Sequence, residues 1–166
     1  MKMNYLLISA MLFSLFGCSG ANGINLEGAF RYYEYQSSTM RAYPYEYYRL
    51  ECSEDGALTL SWSKVSSDLT VLRVPDDAAR EAVSIIEQYR LTGLKSSYRP
   101  VGRVLDGTMW HVYFTVGEKD ISCNGENAWP AERQRKGIEA MNAYFNTLIE
   151  AAKEEDILEV KDFRSR

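Results

Sequence analysis

The segment from Met109 to Val116 constrains the fold most strongly, because apolar and polar side chains alternate along it. Its large apolar residues fall on one face of an extended chain: Trp110, Val112, Phe114 and Val116. A period of two residues is that of a β-strand with one buried and one open face. Gly117-Glu118-Lys119-Asp120 predicts a turn, and Ile121 to Cys123 predicts the returning strand. The segment therefore excludes an all-helical fold.

Four earlier stretches also have the composition of β-strands, since they are rich in aromatic or alternating apolar residues. They comprise Glu27 to Gln36, Tyr45 to Ser53, Ala57 to Ser63 and Leu69 to Val74. Between the second and the third, Ser53-Glu54-Asp55-Gly56 predicts a hairpin turn, because Asp-Gly supplies the left-handed positions that such turns prefer.

Two amphipathic segments predict helices near 77–90 and 131–152. Asp76 is expected to cap the first helix and Gly93 to mark its stop. The second helix is expected to begin at Trp129-Pro130, since proline is tolerated at the first helical position. Strands and helices together predict an α+β fold, with a predominantly antiparallel sheet and two amphipathic helices packed on one face.

The N-terminus has the proportions of a secretory signal, with a short basic start and an uncharged run from Tyr5 to Phe16. This run is too short to cross a bilayer, which takes roughly 20 helical residues. It ends in Leu15-Phe16-Gly17-Cys18, which resembles the lipobox of bacterial lipoproteins. The resemblance implies cleavage before Cys18 and lipidation of its thiol, with palmitate among the acyl chains. The alternative is an ordinary cleaved signal that contains a cysteine.

The lipoprotein interpretation divides the chain into four parts. Residues 1–17 form the signal peptide, 18–26 a flexible spacer, 27–152 a single α+β domain and 153–166 a charged C-terminal tail. The expected location is the bacterial cell envelope, where the N-terminal lipid holds the protein to a membrane and the domain faces the periplasm or the cell exterior. Two or three acyl chains on one cysteine make such anchoring nearly permanent.

A second resemblance covers about a third of the chain. A tryptophan strand, a polar turn and a Gly-x-Asn-x-x-Pro stretch precede the last helix, and their key residues are Trp110, Gly117, Gly125, Asn127 and Pro130. This arrangement resembles one found in small bacterial lipoprotein and secreted domains. The resemblance implies an α+β architecture and no particular activity.

Two cysteines remain if Cys18 carries lipid. Cys52 and Cys123 both lie at the ends of strand-like runs. In an oxidising compartment an even number of cysteines is compatible with a disulfide, provided that the two Cα atoms lie within about 7 Å. The alternative is a pair of buried free thiols.

The chain offers few residues for catalysis or cofactor binding. His111 is its only histidine, so a triad or dyad must use it, and Cys123, which lies twelve residues downstream in the predicted hairpin, is a conceivable partner. We favour a packing or surface role for His111 over such a dyad. One histidine and no Cys-x-x-Cys motif predict no metal site and no cofactor. A net charge of −4 disfavours nucleic acid as a partner.

Tyrosines concentrate in one region of the chain. Tyr43, Tyr45 and Tyr47 alternate with their neighbours and share a face with Arg49, so they form a possible ligand-binding row. Tyr48 lies on the opposite, core-facing side. The alternative is that these tyrosines only favour half-buried strands, and we prefer that alternative.

Two functions remain open from the sequence. The leading hypothesis is a non-enzymatic, lipid-anchored binding domain for an envelope protein or a glycan. The alternative is an envelope hydrolase with an unrecognised active site. A concave pocket that holds His111 with a nucleophile or carboxylate would favour the hydrolase, and a flat exposed tyrosine face would favour binding.

Overall fold

The computed structural model describes residues 30–39, 42–65, 68–102 and 107–163, with the side chains of Ala42 and Tyr43 excepted. Within these residues the chain forms one eight-stranded sheet and two α-helices. The strands are β1 (Phe30–Thr39), β2 (Ala42–Cys52), β3 (Leu58–Lys64), β4 (Asp68–Arg73), β5 (Ser97–Tyr98), β6 (Met109–Val116), β7 (Lys119–Glu126) and β8 (Ile157–Asp162). The helices are α1 (Ala78–Gln88) and α2 (Glu132–Ala151). The predicted α+β class is confirmed, and the sheet is larger than expected.

The strands lie in the order β5-β7-β6-β1-β2-β3-β4-β8. Strands β1 to β4 follow one another as antiparallel hairpins, and the hairpin of β6 and β7 pairs with the other side of β1. Only the short pairing of β5 with β7 is parallel among the described strands. Each helix therefore carries the chain from one edge of the sheet to the other, which brings β5 and then β8 to opposite edges.

Alternate residues of the central strands form the core with the apolar sides of both helices. Trp110, Val112 and Phe114 are buried as predicted. Phe145 of α2 packs its ring against Tyr33 and Tyr48, at centroid distances of 5.7 and 5.8 Å. Both tyrosines are fully buried, so the helix α2 seals the middle of the sheet on this face.

The helix ends differ from their predicted chemistry. Asp77, not Asp76, is the residue that precedes α1, and no side chain caps the helix. At the other end Arg90 adopts a left-handed φ of 55°, so the reversal precedes Gly93 by three residues. The prediction placed the stop at glycine because glycine adopts this conformation most readily. The helix α2 begins after Ala131, so Pro130 lies just outside it.

The segment predicted as a charged tail forms the edge of the sheet. After a short 3-10 turn at Glu154–Asp156, β8 pairs antiparallel with β4. Most side chains of β8 remain exposed, as the prediction of a solvated end required. An edge strand that alternates Glu159 and Lys161 with apolar residues has too few buried positions to give a clear strand pattern.

The proposed disulfide is not formed. Cys52 and Cys123 are free thiols in the part of the chain that the structure describes. They lie on β2 and β7, which β1 and β6 separate. Three strand spacings of roughly 4.8 Å put the two cysteines about 14 Å apart at least. This separation is twice the reach of a disulfide, so both thiols are free, and of the two only Cys123 is buried.

The two faces of β2 predict different costs of mutation. We expect Tyr48→Ala to lower the free energy of unfolding by about 3–5 kcal/mol, because it empties a fully buried site. Tyr45→Ala should change it by less than about 0.5 kcal/mol, since the side chain is 44% exposed. Chemical denaturation of both variants checks this expectation, and equal losses would contradict the assignment of the faces.

Candidate functional site

The face of the sheet opposite the helices carries most of its polar side chains, and we call it the open face. Residues of β1 and β6 alternate between the core and this face. Their register places side chains in rows that cross several strands. One row consists of Gln36 on β1, His111 on β6 and Asn124 on β7. No local pattern in the sequence indicates this row, because strand order alone brings these three residues together.

A cavity of about 340 Å³ surrounds this row at the β5 end of the sheet. Besides the three side chains of the row, its lining includes Arg99 and Glu126. The volume lies near the lower end of the range for small-molecule sites, roughly 300–1,000 Å³. The cavity therefore offers amide, imidazole, guanidinium and carboxylate groups to one small polar ligand.

His111 is half-buried within this site. Burial lowers the pKa of its imidazole below the usual 6.5, while the charge of Glu34 acts in the opposite direction. The ring is therefore neutral at pH 7, with one nitrogen as donor and the other as acceptor. No hydrogen bond joins the ring to a carboxylate of the described residues. An imidazole without such a partner lacks the orienting group of a catalytic triad.

Cys123 does not form a dyad with His111. It is fully buried on the helix side of β7, whereas His111 points to the open face. Burial raises the pKa of the Cys123 thiol to about 11, so the thiolate is scarce at neutral pH. The favoured interpretation, in which His111 does not serve a cysteine nucleophile, agrees with this arrangement.

Arg49 forms a charged cluster elsewhere on the open face. Its guanidinium contacts Glu34 at 3.0 Å and Glu51 at 2.8 Å, and lies 4.8 Å from the ring centroid of Tyr32. The hydroxyl of Tyr47 donates a hydrogen bond to Glu34 at 3.2 Å. Hydrogen bonds to Glu51 and Glu34 raise the pKa of Arg49. Because these contacts occupy the guanidinium, the cluster fixes the central strands to one another.

The tyrosine row is only partly exposed. Tyr45 is 44% exposed, but Tyr47 is buried beneath Phe163, with ring centroids 5.1 Å apart, and beside Leu69. The side chain of Tyr43 lies outside the described part of the chain. A flat row of three tyrosines is therefore not the binding surface that the alternation suggested. The sequence could not indicate this, because Phe163 comes from the far end of the chain.

An aromatic stack lies at the β5 end of the sheet, on the core side, where Trp110 is buried. Trp110, which contributes to the cavity lining, stacks against Trp129 with centroids 4.8 Å apart and planes 7° apart, and Tyr98 packs at 6.0 Å. The Trp110 Nε1 donates a hydrogen bond to the carbonyl of Ala128 at 2.9 Å. A Cβ on Gly125 would lie 2.1 Å from the indole, so glycine is required there. Trp129, which stacks on the buried ring of Trp110, remains 41% exposed.

Other candidate sites lie outside the described residues or have no support within them. Cys18, the residue predicted to carry lipid, lies outside the described residues. Those residues contain no group of three or more potential metal ligands. Among the helices described, none has the length and apolar character to cross a membrane.

Comparison with models of known protein families and with curated proteins gives no match for this chain.

The single histidine makes the electrostatics of the cavity measurable. A folded-state pKa below 6.5 means that the unfolded chain binds more protons as the pH falls through this range. The stability that the neutral imidazole of His111 contributes is therefore fully present above pH 6.5. It is lost, and the free energy of unfolding decreases, as the pH falls through the folded-state pKa. His111→Gln should remove this part of the pH dependence. NMR titration of the imidazole checks the assignment, and a pKa at or above 6.5 would refute it.

Proposed function

We propose that this protein is a lipid-anchored domain of the bacterial cell envelope that binds a glycan, without catalysis, in the cavity of the open face. The observation that carries the proposal is the row of Gln36, His111 and Asn124 across three adjacent strands. Strands hold these groups more rigidly than loops would, which lowers the entropy lost on binding.

The polar side chains of the cavity suit a hydroxylated ligand better than a charged one. Amides and a neutral imidazole both donate and accept hydrogen bonds, as sugar hydroxyls do. Arg99 and Glu126 bring charges of opposite sign, so the cavity has no strong preference for an anion or a cation.

A protein ligand is the weaker alternative. Protein interfaces favour broad surfaces with buried aromatic anchors, and the tyrosine row would have supplied such anchors. Tyr47 is already buried within the molecule and cannot serve. The concave site is small and presents several polar side chains beside the apolar Met109 and Trp110, a combination that favours a glycan over a protein.

A hydrolase remains the second candidate because the cavity also contains Ser38 and Glu126 beside His111. A nucleophile, a base and a carboxylate around one cavity meet part of the requirement for such an enzyme. However, no hydrogen bond links Ser38 to His111 among the described residues. Incubating a bound oligosaccharide with the protein separates the two functions: the binding domain returns it intact, whereas the hydrolase returns fragments.

We expect Asn124→Ala to weaken glycan binding by roughly 5- to 150-fold, the loss for one or two hydrogen bonds to the bound ligand. The measurement is calorimetric titration of the full chain in detergent with oligosaccharides from bacterial envelopes. Ser122→Ala is the matched control, because Ser122 lies on the same face of β7 and is absent from the cavity lining. Equal losses for both variants, or no binding by the unmodified chain, would refute the glycan site.

The lipid anchor is tested separately. Cells that express the full chain should incorporate a palmitate analogue into it, and Cys18→Ser should abolish the label because the thiol is the acyl acceptor. Cys52→Ser should keep the label, since Cys52 belongs to β2 of the folded domain. Equal labelling of the wild type and Cys18→Ser would refute the anchor and leave the glycan site untouched.

A further inference from the structure

The two edges of the sheet are unequal. The edge strand β5 has only 2 residues, whereas β8 has 6 and, among the strands that the structure describes, pairs with β4 alone. Three apolar side chains at this second edge are 43, 46 and 59% exposed: Ile157, Leu158 and Val160. An edge strand presents unpaired backbone groups to any strand of compatible sequence. The remaining question is which strand it fits.

We propose that β8 pairs antiparallel with β8 of a second copy of this chain, around a two-fold axis at Val160. Opposite residues in a sheet share a face, so a two-fold axis perpendicular to the sheet must pass between two identical residues. With Val160 at the centre, Glu159 of each copy lies opposite Lys161 of the other. The strand is therefore complementary to itself in charge at two symmetric positions.

The neighbouring symmetric registers lack this complementarity. An axis at Glu159 places two carboxylates opposite each other, and an axis at Lys161 places two ammonium groups opposite each other. Like charges at directly opposed positions destabilise a strand pair. Within one copy Lys161 and Glu159 already contact each other at 2.7 Å on the open face. The same two groups can therefore exchange partners across the axis without a change of face.

The apolar residues of β8 support the same register. Val160 lies on the helix side of the strand, opposite Thr70 of β4, and keeps 59% of its surface exposed. In the proposed pair it packs against its own copy, whereas Leu158 is the extra residue of a bulge in the pairing with β4. The axis also places the helices of both copies on one side of a continuous sheet. Each cavity then stays distant from the junction, because β1, β6 and β7 lie toward the other edge.

A cysteine cross-link tests both the partner and the register. Opposed residues of an antiparallel pair lie about 4.5–5.5 Å apart at Cα, within the range of a disulfide. Val160→Cys in the full chain should therefore give a covalent dimer after mild oxidation, seen on non-reducing gels. Leu158→Cys is the matched control, because the register separates the two copies of residue 158 by about 13 Å. Dimer from both variants, from the control alone or from neither would overturn the proposal.

Charge reversal provides the second arm. Lys161→Glu in the Val160→Cys background should reduce the cross-linked fraction by roughly tenfold, because it opposes two pairs of carboxylates. Adding Glu159→Lys should restore the cross-link, since it reverses both partners and keeps the pair within each copy. Circular dichroism confirms that all variants are folded. Failure of the double reversal to restore the dimer would overturn the proposed register.

Discussion

The packing of Phe145 against Tyr33 and Tyr48 is the contact on which the rest of the structure depends. It joins α2 to the two strands at the centre of the sheet, and all three rings are fully buried. The Tyr48 hydroxyl also donates a hydrogen bond to Asn146, 98 residues away in sequence. By covering one face of the central strands, this contact assigns every alternate side chain of those strands to the other face. The site on the open face follows from that division.

The sequence predicted the individual strands and helices better than it predicted which of them lie next to each other. Alternation at Trp110, Val112 and Phe114 identified a half-buried strand correctly, because burial and period are local properties. The burial of Tyr47 depends on Phe163, and the cavity depends on the order of β1, β6 and β7. Pairings between distant segments leave no local pattern. For the same reason the composition of residues 153–166 suggested a tail, although β4 pairs with part of them.

The candidate site was predicted only in part. His111 was recognised as the single residue able to support imidazole chemistry, and its place beside Trp110 put it opposite the apolar face. Nothing in the sequence marked Gln36 and Asn124 as site residues, because amide side chains are common on exposed strands. The close approach of Gly125 to Trp110 had only a weak signal in the sequence, because Gly125 follows the predicted hairpin that contains the tryptophan. Such a glycine marks a place where a large ring lies flat on the backbone.

The sheet order also determines how the chain reaches its native state. Strand β1 lies early in the chain but pairs with β6, which is synthesised much later. Strand β4 likewise pairs with β8, which lies near residue 160. Closing such long loops costs conformational entropy before the stabilising contacts form, and this cost makes folding slow. A chain that crosses a membrane before it folds, as proposed for this one, benefits from that delay. The topology that builds the cavity thus also delays completion of the sheet until the C-terminal strand β8 is available.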